Sequence, residues 1–413
     1  MVTNLERPFL AAEAVVGRRP RRLVLILWSS VIFGLQIGVA RLGYGLALPA
    51  IRQALHGNYA AYGAVNAVSL GGYLAGALIA PLLMRRVPRL VLWASVAAGA
   101  ALAASALVGD VVWLGVARTA FGVASGVTLV AAAVETLESV APTYRGTASA
   151  LMWAGTGVGM ALSALGTAWL LHDAMAWRAA SLVSGVLILG AAIGYSAVAH
   201  GAASLARTRT ALTPNVSARF DVRDLLRPRR FLFLCLAYAA FGFAYIAYAT
   251  FIVASLEARL GPAHATASIT LLWGLYGVAN VLGALSVARL LDGRFRRSAL
   301  AVAGFAGVIG CFVAVAWPHG AALSAILVGL GLAATPAAAT AYARARSTVA
   351  GAPAAISAVT VAVGLGQLVG PLAAGLAADV LGLPSVAFVA GCAYVLGTLF
   401  AVADAFAVRE PAA

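Results

Sequence analysis

Residues 18–51 read RRPRRLVLILWSSVIFGLQIGVARLGYGLALPAI. Four arginines, Arg18, Arg19, Arg21 and Arg22, stand directly before an apolar stretch from Leu23 to Ile51. A bilayer core needs roughly 20 apolar residues in helical form, so this stretch is long enough to cross one. It exceeds the roughly 7–15 apolar residues of a cleavable signal, and no convincing cleavage site follows. The expected reading is a retained first span whose basic N-terminus stays in the cytoplasm.

The pattern recurs along the chain. Twelve such segments can be marked: Leu23–Ile51, Ala60–Met84, Leu90–Val108, Val111–Leu137, Thr147–Leu171 and Ala179–Ala199 in the first half. Phe231–Leu256, Thr266–Leu291, Leu300–Trp317, Ala321–Ala343, Ala354–Ala378 and Ser385–Phe406 follow in the second. Barrel strands need only about 9–11 alternating residues, and most of these segments are longer and uninterrupted. Helices satisfy every backbone group internally, as lipid requires. Composition agrees, with 63% of the 413 residues hydrophobic and 10% charged, against about 25% charged in soluble domains. A soluble globule and a disordered chain are both excluded. Runs such as Gly34-x-x-x-Gly38, Gly72-x-x-x-Gly76 and Gly122-x-x-x-Gly126 suit helices that approach closely in lipid.

All 28 basic residues are arginine, and the net charge is +15. They fall in short clusters between apolar runs and form no single basic face, which removes the nucleic-acid reading. With the N-terminus inside, 23 arginines fall in cytoplasmic segments and three (Arg52, Arg178, Arg259) in outer loops. Arg41 and Arg118 lie within spans. This is the positive-inside asymmetry, and it places both termini in the cytoplasm. Cys235, Cys311 and Cys392 lie inside apolar runs without metal-ligand spacing. Neither a metal nor a cofactor is expected.

The longest polar segment divides the chain in two. The expected organisation is a cytoplasmic N-terminal segment (1–22), a six-helix bundle (23–199), a cytoplasmic central loop (200–230), a second six-helix bundle (231–406) and a cytoplasmic tail (407–413). Gly38-Val39-Ala40-Arg41-Leu42-Gly43-Tyr44 parallels Gly242-Phe243-Ala244-Tyr245-Ile246-Ala247-Tyr248 at an offset of 204, and Gly76-Ala77-Leu78 parallels Gly283-Ala284-Leu285 at 207. Two related bundles with a cavity between them are a transporter architecture.

Several stretches carry a family resemblance. Between spans two and three stands Pro81-Leu82-Leu83-Met84-Arg85-Arg86-Val87-Pro88-Arg89, and the equivalent loop of the second half reads Ala288-Arg289-Leu290-Leu291-Asp292-Gly293-Arg294-Phe295-Arg296-Arg297. Span four holds Arg118 followed by Gly122 and Gly126, and span five holds Gly155-Thr156-Gly157-Val158-Gly159. Over nearly its whole length the chain resembles the major facilitator superfamily. That family has Gly-x-x-x-Asp-Arg-x-Gly-Arg-Arg in the loop and Arg-x-x-x-Gly-x-x-x-Gly in span four. Here Arg85 replaces the loop acid and a proline replaces a glycine, whereas the second half keeps its acid as Asp292. The run Arg41–Ala50, with Gly366-Gln367-Leu368-Val369-Gly370-Pro371, is similar to the bacterial YbfB/YjiJ group. The resemblance implies an all-α polytopic membrane protein of twelve transmembrane helices. These form two pseudo-symmetric six-helix bundles around a central cavity lined by spans one, four, seven and ten. A multi-pass place in the bacterial cytoplasmic (inner) membrane follows.

A charge within a span costs about 2.5–3.5 kcal/mol on insertion scales, so it faces a cavity or a partner. If spans one and four line the cavity, Arg41 and Arg118 face one water-filled space where a guanidinium can grip a carboxylate or phosphate bidentately. The alternative for Arg118 is to tie helices together through carbonyls. Arg41 and Tyr44 are three positions apart and are expected to share a helical face; Tyr245 and Tyr248 repeat that spacing. Gln36, Asn66, Asn280 and Gln367 are further candidate donors, with interhelical packing as the alternative for each. Glu135 is either a proton carrier or a salt-bridge partner of cytoplasmic arginines such as Arg145. With Arg85, Arg89, Arg145 and Asp292 it makes up the expected gating or coupling set.

The expected function is secondary transport of a small organic solute, an anion by its arginines, through alternating access. A drug or metabolite exporter with an aromatic, weakly selective cavity is the other transport reading. Expected partners are that solute (a carboxylate included), membrane lipid and a coupling proton, with the chain a monomer. An enzyme would need clustered acids, bases or nucleophiles. His56, His172, His200, His264 and His319 are instead scattered in loops or at span ends. No Gly-x-x-x-x-Gly-Lys loop offers direct nucleotide coupling. A sensor or scaffold would need a larger soluble part than the central loop provides.

Overall fold

In lipid, a long apolar run must close its hydrogen bonds within itself. The structure, a computed structural model, describes residues 20–84, 86–141, 144–206, 229–292, 298–317, 319–345 and 352–407, and outside short turns these are helical. Helix α1 has three successive segments, Pro20–Phe33, Gly34–Leu42 and Gly43–Leu55, of which the middle one is a π-helix. Helices α2 (Tyr59–Met84), α3 (Leu90–Ser105) and α4 (Val111–Ser139) follow. Helix α5 runs through Arg145–Ser163, a 3₁₀ turn at Ala164–Gly166 and Thr167–His172, and α6 is Ala176–Ala206. The second half holds α7 (Arg229–Leu260), α8 (Pro262–Asp292), α9 (Ala299–Ala316), α10 (Ala321–Ala345), α11 (Ala352–Leu381) and α12 (Pro384–Ala407).

Each expected span coincides with one helix. Eleven are long and apolar enough to cross a membrane, and α3 is apolar but only 16 residues long. It stops short of the expected Val108, and α4 begins at the expected Val111, where the Asp110 carboxylate accepts the Trp113 N–H at 2.9 Å, a helix N-cap. The expected central loop and both terminal segments lie mostly outside the described residues. Val186, Phe305 and Leu396 are among many large apolar side chains left more than half exposed, as a lipid-facing surface requires.

The repeat seen in sequence extends to backbone contacts. A Cβ at Gly76 of α2 would stand 2.0 Å from the Val123 carbonyl oxygen of α4, and one at Gly283 of α8 would stand 2.2 Å from that of Leu330 in α10. Both members of the pair are displaced by 207 positions. Likewise α1 meets α5 at Gly38 and Gly159, and α7 meets α11 at Gly242 and Val363, both displaced by 204. Helices α1–α6 and α7–α12 therefore form two bundles built to one plan.

The side on which α1 begins is termed the N-side, the other the far side. The three arginines expected in outer loops lie on the far side, and each is engaged. Arg178 donates to the Ala106 carbonyl at the end of α3, Arg259 donates to that of Ala314 near the end of α9 at 2.8 Å, and Arg52 lies 4.4 Å from the Tyr59 ring centroid. Cations suit helix C-termini, where carbonyls lack partners.

The glycine seams leave no room for side chains. Replacing Gly76 with valine should abolish the monodisperse peak of the protein in mild detergent, read by fluorescence-detected gel filtration. Gly146→Ala should leave that peak unchanged, because a Cβ there meets nothing within 4 Å.

Candidate functional site

Midway along α1 the backbone widens into its π segment, which puts the residues beyond it out of step with an ordinary helix. Arg41 lies in that segment and Tyr44 just after it. The expected common face is therefore lost. Arg41, 7% exposed, reaches the second bundle, where its Nη2 donates to Oε1 of Gln367 on α11. Gln367 Nε2 in turn donates to the Tyr245 hydroxyl on α7. On the other side the ring centroid of Tyr73, from α2, is 4.2 Å from the guanidinium carbon. Four helices and both bundles thus meet at one charge. All three neighbours are neutral, and arginine stays protonated in proteins. The ring and the amide solvate the charge without neutralising it.

Tyr44 departs from expectation, and Arg118 follows its alternative reading, a tie between helices through a carbonyl. Arg118, 5% exposed, donates from Nη2 to the Ala40 carbonyl at 3.1 Å and lies 4.8 Å from the Tyr44 ring and 5.5 Å from the Phe121 ring. Among the described residues these contacts all belong to the first bundle, so Arg118 ties α4 to α1. The Tyr44 hydroxyl donates to the Tyr62 carbonyl at 3.0 Å, again within the first bundle. In the second bundle the Tyr248 and Ser324 hydroxyls share a 2.7 Å hydrogen bond. Gln36 is buried and reaches only Ser95, at a long 3.4 Å. Asn66 donates across the bundle interface to Thr250 at 2.8 Å. Asn280 is 1% exposed, and among the described residues neither its Nδ2 nor its Oδ1 has a partner.

On the far side the bundles are packed together. A Cβ at Gly45 would stand 2.0 Å from the Ala249 carbonyl oxygen, and one at Gly63 2.2 Å from that of Pro371. The Trp273 indole N–H donates to Ser163 at 3.0 Å. Asp379, in the last turn of α11, accepts the Tyr59 N–H on one carboxylate oxygen and the Ala60 N–H on the other, both at 2.8 Å. Asn58 accepts the Ala61 N–H at 2.9 Å. The start of α2, in the first bundle, is therefore capped by a carboxylate of the second, which suits the positive end of the helix dipole.

Residues 33–402 match the sequence profile of a family described as "Uncharacterised MFS-type transporter YbfB". The chain belongs to this family of the major facilitator superfamily. It is a multi-pass membrane transporter and not an enzyme. No curated protein matches its sequence significantly. The YbfB-type chain is also similar to a solved point variant of the nucleoside transporter NupG, with a TM-score of 0.73 at 12% identity over 92% of this chain and 99% of that one. NupG itself aligns with a TM-score of 0.69 at 12% identity, over 95% and 100% of the two chains. A bacterial homolog of the human lysosomal transporter Spinster, inward-facing and occupied, gives 0.64 at 16% identity, over 94% and 96%. At such identities the likeness is one of fold.

The described residues of the expected gating set have their contacts apart from Arg41's neighbours. Arg145 is exposed and donates to the Leu137 carbonyl at 3.0 Å near the end of α4. Arg89 is exposed, with φ of 56°. Glu135 accepts the Tyr195 hydroxyl at 3.0 Å within the first bundle. Arg85 and the side chain of Asp292 lie outside the described residues. Tyr73 and Asp379 were not among the expected residues. Nothing in sequence separates Tyr73 from other span tyrosines, and Asp379 meets backbone N–H groups, which leave no trace in sequence.

Removing the Asp379 carboxylate should loosen the far-side closure. In a protein with its three cysteines changed to serine and Thr250→Cys added, Asp379→Ala should raise far-side labelling by an impermeant maleimide about fivefold or more, the scale of a lost helix cap. An unchanged rate would show that Asp379 does not hold the bundles together.

Proposed function

We propose that this transporter carries a small organic anion by alternating access of its two bundles, with Arg41 as the group that holds the anion. The observation behind this reading is the Arg41 guanidinium, buried at the bundle interface among a glutamine, a tyrosine hydroxyl bonded to that glutamine, and a tyrosine ring. A charge solvated only by neutral groups is best matched by an opposite charge. The Gln367 amide oxygen occupies a position that a carboxylate oxygen of the solute can take. Because Gln367 moves with the second bundle, such an exchange links solute binding to the relative position of the bundles. NupG is a nucleoside transporter; a neutral nucleoside here would leave the Arg41 charge unmatched. The arginine asymmetry of the loops supports a cytoplasmic N-side in a bacterial inner membrane. Arg118 serves in this reading as a brace for the π segment through the Ala40 carbonyl.

Thermal stabilisation of the purified protein across organic acids, amines and nucleosides tests this. Acids should stabilise it, and Arg41→Ala should weaken that binding roughly 10- to 100-fold, as expected for a charge-assisted hydrogen bond. Stabilisation by amines or nucleosides alone, or acid binding that survives Arg41→Ala, would overturn the assignment.

A further inference from the structure

The chemistry around Arg41 does not use Asn280, although Asn280 is the buried amide with both polar ends unpaired. Four residues earlier on α8, the Tyr276 hydroxyl is fully buried and also without a partner. Buried polar groups are almost always hydrogen-bonded, and exceptions point to a missing ligand or water. Positions four apart lie one above the other on a helix, so Tyr276 and Asn280 share a face. Val278 and Leu282, on the opposite face, are exposed as lipid-facing residues are.

Packing fixes where that face looks. Gly277 of α8 lies against Gly157 and Ala161 of α5, while Gly283 lies against Leu330 of α10. Ala284 clusters with Ala154 of α5 and Ala333 of α10. On the helix wheel Asn280 falls between the positions that meet α5 of the other bundle and the one that meets α10. The repeat adds a second bearing. At the offsets of 204 and 207, Tyr245 takes the place of Arg41, and Asn280 takes the place of Tyr73. The Tyr73 ring lies 4.2 Å from Arg41, and Asn280 and Tyr245 are the equivalent pair of positions in the second bundle. The Tyr276 ring lies 5.8 Å from that of Tyr248 on α7, the helix that also carries Tyr245, and Tyr245 joins Arg41 through Gln367.

We infer that Asn280, with the Tyr276 hydroxyl, is a second and uncharged pole of the solute site. Its preferred solute is a small organic anion with a hydroxyl group remote from the carboxylate. This rests on the anion reading of Arg41 and adds a specificity residue to it. The amide offers a donor and an acceptor together, which a hydroxyl can satisfy at once and a methyl cannot.

Affinities of the full-length purified protein for propionate and 3-hydroxypropionate, and for butyrate and 4-hydroxybutyrate, test the inference. The wild-type protein should bind each hydroxylated acid at least about tenfold tighter than its parent, a preference of roughly 1.4 kcal/mol. Asn280→Leu should reduce that preference to within about threefold while leaving the parent acids unaffected. Tyr276→Phe, which removes a single oxygen, should weaken the hydroxylated acids alone and serves where the leucine variant does not fold. Acid binding without a preference for the hydroxyl, or a preference that survives both variants, would overturn this pole and leave Arg41 standing; the latter result would mark Asn280 as the seat of a buried water. Equal loss of both acids in Asn280→Leu would make the residue structural. If no acid binds the wild-type protein, both readings fail.

Discussion

One permanent positive charge at mid-membrane, surrounded by neutral groups, sets the terms for the rest of the molecule. Arg41 is buried and cannot reach water freely. It therefore has to be solvated by the protein, and the groups that do so arrive from four helices in two bundles. Holding those groups in place requires helix axes that approach closely and do not slide at random. The glycine seams supply this, with carbonyl oxygens lying where side chains would otherwise stand. The π segment turns Arg41 toward the second bundle while Tyr44, three residues on, bonds within the first.

The symmetric scaffold carries an asymmetric interior. Arg41 and Tyr245 occupy equivalent places, as do Tyr44 and Tyr248. The equivalent tyrosines are handled differently: Arg118 lies against one, and a serine hydroxyl bonds the other. One bundle thus contributes charge and the other contributes hydroxyl and amide groups. The duplicated framework keeps the two lobes mechanically alike while their facing surfaces differ in chemistry.

The fold was legible because its cause is crude. Apolar runs of span length, arginines gathered on alternate loops, and an internal offset each report on lipid directly, and every marked span became a helix. Within the site, Arg41 stood out because charge is costly in a span, and Gln367 because amides are scarce there. The orientation of Tyr44 was not legible, because the 3.6-residue repeat assumed for α1 fails across Gly34–Leu42. Arg118 was visible as a charge, yet its partner is a carbonyl, and every residue type has one. Asp379 escaped notice for the same reason, since its partners are amide hydrogens. Contacts to main chain are the ones a list of side chains conceals.

Asp379 differs from the interior contacts in its surroundings. It is exposed, at the membrane edge. Were it released from α2, the two freed N–H groups would meet water at once, so separation would involve an exchange of partners and not a bare loss. Such a clasp has a modest grip and a low penalty for release. A bond deep in hydrocarbon would behave differently, because once broken it would find no substitute.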